Sequence, residues 1–396
     1  VSETDSTPAR GARLLVAIAL TLLLPAGLAG CTSPTRGAPA ASPGVTTPTP
    51  TPTADPIDAL TVEQRVGQLF MVGTGATAAE AETIAAVRDR HVGNVFLAGR
   101  SRDGTAATAA VTAQFTSLVS PQSTAGVPLL IATDQEGGLV QVLRGPGFSD
   151  IPTAVNQGAL DTAALEGSAE LWGSELATAG VNMNLAPVVD LIPSAAAAAS
   201  NPPIGVFHRE FGYDAATIEQ KAGAFREGMS AGGVVSVLKH FPGLGVVTQN
   251  TDTSSNVVDG VTTADSPSVD IYRAEIAAGA ESIMMSSATY AAIDPTAPAL
   301  FSRAVVTDLL REKLGFDGVI MTDDVAASAQ VQAWSPADRA ILAIEAGCDM
   351  VLVARTPAMS FEMVDAVVAK TRVDAAFAER VDDAARRVLA LKQARR

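Results

Sequence analysis

Residues 236–252 read SVLKHFPGLGVVTQNTD, and the fold turns on how they are interpreted. The apolar, β-branched run 233–238 predicts a buried parallel strand, with Lys239 and His240 standing where it ends. Pro242, Gly243 and Gly245 break regular structure directly afterwards. The next ten residues therefore form a loop, which carries Thr248, Asn250, Thr251 and Asp252. A strand end presenting a cation and an imidazole, with a mobile polar loop lying across it, is what a pocket for a hydroxylated ligand requires. The same residues would also fit a satisfied core histidine beside a surface lysine.

Seven more runs of this kind, at 67–72, 93–97, 128–133, 181–189, 282–285, 318–321 and 350–353, bring the number of candidate strands to eight. Segments with helical spacing lie between most of them, at 77–90, 163–179, 217–231, 302–314 and 337–346. Strand and helix in continuous alternation imply right-handed parallel crossovers. Eight such units predict an α/β fold of the (β/α)8 TIM-barrel type, a single catalytic domain over 57–396. An open doubly wound sheet would need fewer strands and a glycine-rich phosphate turn, and no GxGxxG follows Val72. The segment 374–392 reads as a closing amphipathic helix.

In a barrel, polar residues that follow the strands share one rim. Those residues are Asp134, Gln135 and Glu136, then Asp190, Lys239 and His240, Ser286 and Ser287, and Asp323 and Asp324, with Arg144 and Arg209 nearby. Carboxylates predominate and suit an uncharged polyhydroxylated ligand, because they accept hydrogen bonds from vicinal hydroxyls. Metal binding and the capping of following helices are the competing uses.

The amino-terminal region reads as an export signal. Arg10 and Arg13 precede the apolar run 14–24, and the run leads to LAGC at 28–31, which matches a bacterial lipobox. Residues 1–30 are thus expected to be a lipoprotein signal peptide cleaved before Cys31, and Cys31 to be the lipidation site. The Pro- and Thr-rich stretch 31–56 reads as a solvated tether. The expected location is the outer face of the bacterial cell membrane, held by the lipid anchor alone, with secretion as the alternative. A net charge of −15 argues against nucleic acid as a partner. With only His91, His208 and His240, and with Cys348 as the one other cysteine, a zinc site is not expected. Cys348 reads as a small buried hydrophobe.

Seven motifs occur in one order: DQEGG at 134–138, NLAPVVD at 184–190, NPPIG at 201–205, REFG at 209–212, KHFPG at 239–243, GFDGVIMTDD at 315–324 and AGCDMVLV at 346–353. Together they resemble glycoside hydrolase family 3, and within it the single-domain β-N-acetylhexosaminidases that act on peptidoglycan fragments. The resemblance implies a (β/α)8 barrel, no metal and no cofactor. It makes Asp323 the nucleophile and places Asp134, Lys239, His240 and Arg209 around the sugar on the non-reducing side of the cleaved bond. Three departures from the family pattern stand out. Two extra residues precede Arg209, the position of a further family arginine falls on Val142 with Arg144 nearby, and Ser287 stands where a histidine is usual.

The resemblance also implies a retaining exo-β-N-acetylglucosaminidase that removes terminal β-linked N-acetylglucosamine from an oligosaccharide or muropeptide through a covalent glycosyl intermediate. Two carboxyl groups about 5 Å apart would flank the bond. Peptidoglycan-type relatives carry Asp-Ser-His on the loop after KHFPG, and ungapped alignment puts Asn250, Thr251 and Asp252 there. A carboxyl group then replaces the imidazole. Asp252 is accordingly expected to be the general acid/base, with its pKa raised by Asp323, and Asn250 to hold it by hydrogen bonding without adding charge. Asp259 and Asp324 are the substitute acids. An ionised Asp252 would repel phosphate, so hydrolysis rather than phosphorolysis is expected. A β-glucosidase of the same family and a catalytically silent sugar-binding lipoprotein are the rival assignments.

Overall fold

The computed structural model describes residues 55–394. The predicted signal peptide, Cys31 and the tether up to residue 54 lie outside the described residues. Eight parallel strands form one sheet: β1 Phe70–Gly75, β2 Asn94–Ala98, β3 Leu130–Thr133, β4 Met183–Asn184, β5 Val235–Phe241, β6 Ser282–Met285, β7 Val319–Met321 and β8 Val351–Val353. Their order is β7-β6-β5-β4-β3-β2-β1-β8. A parallel bridge between Met321 and Met350 joins the two ends, so the sheet closes on itself as a (β/α)8 barrel.

The strands read as continuous apolar runs because both of their faces are buried. Met71, Phe96, Ala132, Val237, Met284, Met321 and Leu352 form the cluster inside the barrel. Their chain neighbours Val72, Val95, Leu97, Ile131, Ile283, Ile320 and Val353 belong to the layer between strands and helices. The last helix, Ala375–Gln393, contributes Val388 and Leu391 to the inner cluster. Lys392 on that helix binds Gln68 Oε1 and the Gly93 carbonyl, which precede β1 and β2, so this helix plugs the amino-terminal end. The carboxyl end of the barrel stays open.

Three strand boundaries differ from expectation. β1 begins at Phe70 because 62–68 is a helix, started by a capping box in which Thr61 and Gln64 satisfy each other's backbone N–H. Only Met183–Asn184 of the fourth run pairs on both sides. Beyond it, Val188 bridges Lys239. β5 continues to Phe241, so Lys239 and His240 lie within the strand; the Lys239 carbonyl accepts the Val189 N–H at 2.9 Å. The predicted helix 302–314 is a π-helix over Ala304–Lys313.

The loop after β5 is held at both ends and is not the mobile flap expected. Asn201 Nδ2 donates to the Leu244 and Val247 carbonyls at 2.7 and 3.0 Å, and Tyr290 donates to the Gly243 carbonyl at 2.7 Å. A Cβ on Gly245 would stand 1.8 Å from the Leu191 carbonyl oxygen, so only glycine fits there. Further along, the Thr251 carbonyl accepts from Ser328 Oγ at 2.9 Å and the Gln330 N–H at 3.1 Å, and the Asp252 carbonyl accepts from the Ala329 N–H at 3.2 Å. The loop is thereby fastened to the segment that follows β7.

Candidate active site

A cavity of about 710 Å³ opens at the carboxyl end of the barrel. Its floor is an ion-pair network. Lys239 follows Val235 and Val237 on the inward row of β5, and its Nζ lies 2.7 Å from both Asp134 Oδ1 and Glu136 Oε1. Arg209 binds Glu136 through both Nε and Nη2, at 2.8 and 2.7 Å, and donates to the Pro203 carbonyl. The side chains of Lys239 and Glu136 are 4% and 5% exposed, so neither charge would be tolerable without the other. Burial alone would raise the Glu136 pKa, but Arg209 and Lys239 outweigh it and hold the carboxyl down at about 2. Burial likewise opposes the charge on Lys239, while Asp134 and Glu136 prevail and raise its pKa. Asp134 is the partially exposed member, at 29%, and retains oxygen surface for a ligand hydroxyl.

Glu136 reaches this position through a tight hairpin that pairs Gln135–Gly137 with Val140–Gln141. Gly137 turns it at φ 110°, where a Cβ would meet the Pro152 carbonyl oxygen at 2.1 Å. Next to this network, His240 Nδ1 lies 2.7 Å from Asp190 Oδ2, while Asp190 Oδ1 accepts the N–H groups of Leu244 and His240 at 2.7 and 3.3 Å. Asp190 thus fixes both the imidazole and the start of the loop. As a carboxylate it can only accept, which places the ring proton on Nδ1.

Three further carboxyl groups line the cavity: Asp252, Asp323 and Asp324. Asp324 is engaged structurally. Its Oδ1 accepts the N–H groups of Ala326 and Ala354 at 2.9 Å, and Oδ2 accepts that of Ala327 at 3.3 Å, which ties the end of β7 to the end of β8. Burial nonetheless pushes its pKa up to about 6. Among the described residues Asp323 accepts a single bond, from the Asp324 N–H at 2.7 Å. Asp252 is open to solvent within the cavity, yet the surrounding walls remove part of its hydration and Asp323 faces it. Both effects raise its pKa, while His240, Arg209 and Arg355 act in the opposite sense.

Of the residues singled out from sequence, the fold brings Asp134, Arg209, Lys239, His240, Asn250, Asp252 and Asp323 to this one cavity. Arg144 is not among the lining residues. Its guanidinium donates to Asp150 Oδ1 and the Gly138 carbonyl, both at 2.6 Å, and it braces the hairpin from behind. Val142, at the family arginine's position, does line the cavity. Asn250 does not hold the Asp252 carboxyl; its Oδ1 accepts the Asp252 backbone N–H at 2.9 Å and shapes the loop. Ser287 is fully buried, and its hydroxyl has no partner among the described residues. Glu136 and Asp190 were visible as strand-end acids, but nothing local showed that they would neutralise Arg209 and Lys239 or orient His240. Arg100 and Arg355, also lining the cavity, follow β2 and β8 and carried no motif. Among the described residues, no three His, Cys, Asp or Glu side chains gather as metal ligands.

The profile described as "Glycosyl hydrolase family 3 N terminal domain" matches residues 61–391. A crystal structure of β-N-acetylhexosaminidase from Beutenbergia cavernae DSM 12333 is 65% identical, with a TM-score of 0.84, covering 84% of this chain and 99% of that one. A family 3 β-N-acetylglucosaminidase from Paenibacillus sp. str. FPU-7 is 32% identical, with a TM-score of 0.77, over 85% of this chain and 63% of that one. A β-hexosaminidase from Stenotrophomonas maltophilia (strain K279a) is 37% identical over 235 residues, 57% of this chain and 67% of its own length.

Proposed function

The chain belongs to glycosyl hydrolase family 3 and is a glycoside hydrolase, and on that premise we propose that it is a retaining exo-β-N-acetylglucosaminidase acting on peptidoglycan fragments. The observation that carries the mechanism is the pairing, in one cavity, of an Asp323 carboxyl with little structural engagement and an Asp252 carboxyl whose pKa is raised by loss of hydration and by Asp323. The sugar sits on the floor, its hydroxyls accepted by Asp134 and met by Lys239, Arg209 and His240. Asp323 attacks the anomeric carbon as the glycosidic C–O bond breaks, and Asp252 gives its proton to the departing oxygen. With Asp323 esterified, its negative charge is gone and the Asp252 pKa falls. Asp252 then takes a proton from the water that cleaves the ester.

The hydrolase assignment supports water as the acceptor. Repulsion of phosphate by Asp252 is weaker support than the sequence suggested, because Arg355 offsets part of its charge. The peptidoglycan setting rests on the lipobox at Cys31 and the outward location it implies; mass spectrometry showing an unmodified Cys31 in the native protein would remove that support. A 2-fluoro or 5-fluoro glycoside should leave a covalent adduct on Asp323, locatable by peptide mass, and aryl N-acetylglucosaminides should be cleaved faster than aryl glucosides. Absence of both turnover and adduct would eliminate the mechanism, and a preference for the glucoside would reassign the sugar.

A further inference from the structure

We infer that Gln330 is a positioning residue for the general acid/base: it holds the Asp252 loop and the end of the Asp323 strand as one part, so that the spacing of the two carboxyls is set before a substrate arrives. This rests on the roles given to Asp252 and Asp323 above. Thr251 and Val257 are buried, and the arc 252–256 between them is largely exposed. Both ends of the arc are fixed to one short turn, Ala329–Val331, which follows β7. At the first end, the Thr251 carbonyl accepts from Ser328 Oγ and the Gln330 N–H, and the Asp252 carbonyl accepts from the Ala329 N–H. At the second end, Gln330 Oε1 accepts the Val257 N–H at 2.8 Å, and Gln330 Nε2 donates to the Val257 carbonyl at 3.3 Å. A carboxamide offers an acceptor and a donor side by side, so it pairs with both backbone groups of one residue as a neighbouring strand would. Gln330 therefore bonds both ends of the arc, one through its backbone and the other through its side chain.

The turn is in its own right fastened to the strand that carries the nucleophile. Asp324 accepts the N–H groups of Ala326 and Ala327. Gln332 Nε2 donates to the Ala326 and Ser328 carbonyls, both at 3.0 Å, and Gln332 Oε1 accepts from Arg339 Nη2 at 3.0 Å. Arg339 is buried and also donates to the Val325 carbonyl at 2.9 Å. An unbroken series of hydrogen bonds thus runs from residue 324 to the backbone of Asp252. Asp259, the other carboxyl of this loop, is occupied: its Oδ1 accepts the N–H groups of Val261 and Thr262 at 2.7 and 2.8 Å. Asp252 is the carboxyl that the clamped arc presents to the cavity. An acid must reach the departing oxygen while the nucleophile reaches the anomeric carbon, and a misplacement of about 1 Å can cost about 10² in rate.

The test measures kcat/KM on two β-N-acetylglucosaminides: a dinitrophenyl glycoside, whose leaving group departs without a proton, and a phenyl glycoside, whose leaving group needs one. Gln330→Ala should lower kcat/KM on the phenyl glycoside by about ten- to a hundred-fold, and on the dinitrophenyl glycoside by less than about three-fold. Ser328→Ala, which removes one bond at the first end and leaves the carboxamide in place, should act in the same sense and less strongly; it decides the matter if Gln330→Ala does not fold. Loss of folded enzyme lowers both substrates in parallel, so parallel losses in these variants overturn the inference. Introduced into Asp252→Ala, Gln330→Ala should have no further effect on the phenyl glycoside, because it acts through that carboxyl. Losses that multiply would also overturn it. If Asp252→Ala shows no selective loss on the phenyl glycoside, the acid/base assignment falls and takes the inference with it. If Asp252→Ala is selective and neither Gln330→Ala nor Ser328→Ala is, the assignment stands and the role of Gln330 alone falls.

Discussion

The floor and the mouth of the cavity are built on opposite electrostatic plans. On the floor the charges are answered: Lys239 touches two carboxylates, Arg209 grips Glu136 with two bonds, and Asp190 holds His240. At the mouth, Asp323 accepts one local amide bond, Asp252 is open to solvent, and Arg355 has no ion pair among the described residues. A closed network fixes the position of each of its members, which suits holding a sugar in one orientation. Groups with spare charge can change protonation and bonding, which suits chemistry.

Substitution at the mouth should therefore abolish turnover while the fold survives. Asp323→Asn should lower kcat by about four orders of magnitude or more with little change in thermal midpoint. Asp324→Asn should act mainly on stability, since its oxygens bind three backbone amides. The reverse pattern, measured by aryl glycoside kinetics and calorimetric melting, would exchange their roles. Asp252→Ala should slow substrates with poor leaving groups by about 10²–10⁴ and activated aryl glycosides much less, with azide restoring rate through a β-glycosyl azide. Equal losses on both substrates without rescue would remove Asp252 from the mechanism.

On the floor the principal effect should be on stability. Glu136→Gln leaves Lys239 and Arg209 without their shared partner and should cost about 3–5 kcal/mol in denaturant unfolding, together with a raised KM. The Glu136 pKa is depressed from 4.5 to about 2 by folding. Its stabilisation is therefore complete above about 4.5 and is lost as pH falls towards 2. Glu136→Gln should lack this acid limb, and an unchanged limb in the variant would show that other carboxylates carry it.

The smallest effect expected is electrostatic. Arg355 lowers the Asp252 pKa, so Arg355→Gln should raise it further. Because Asp252 must be protonated to act as acid, the alkaline limb of kcat/KM should move to higher pH. A shift to lower pH would mean that Asp252 is not the titrating acid.

The sequence by itself determined the barrel, because eight apolar runs separated by helical periodicity are local patterns that survive without knowledge of contacts. It also placed the acids, Lys239 and His240 at one rim, since strand ends of a barrel share a face. Strand 5 was legible as an element, but its end was not, because the pairing that carries it through Lys239 to Phe241 comes from neighbouring strands. The distinction between floor and mouth arose only in the tertiary structure. Lys239 meets Asp134 across 105 residues, Arg209 meets Glu136 across 73, and His240 meets Asp190 across 50. The Asp252 loop, which read as mobile, is fastened to Ser328, Ala329 and Gln330 by bonds that closure of the barrel creates. Residue type states which groups can ionise, but the neighbours that neutralise or expose them are brought together by folding, and those neighbours decide which acids hold a sugar and which ones react.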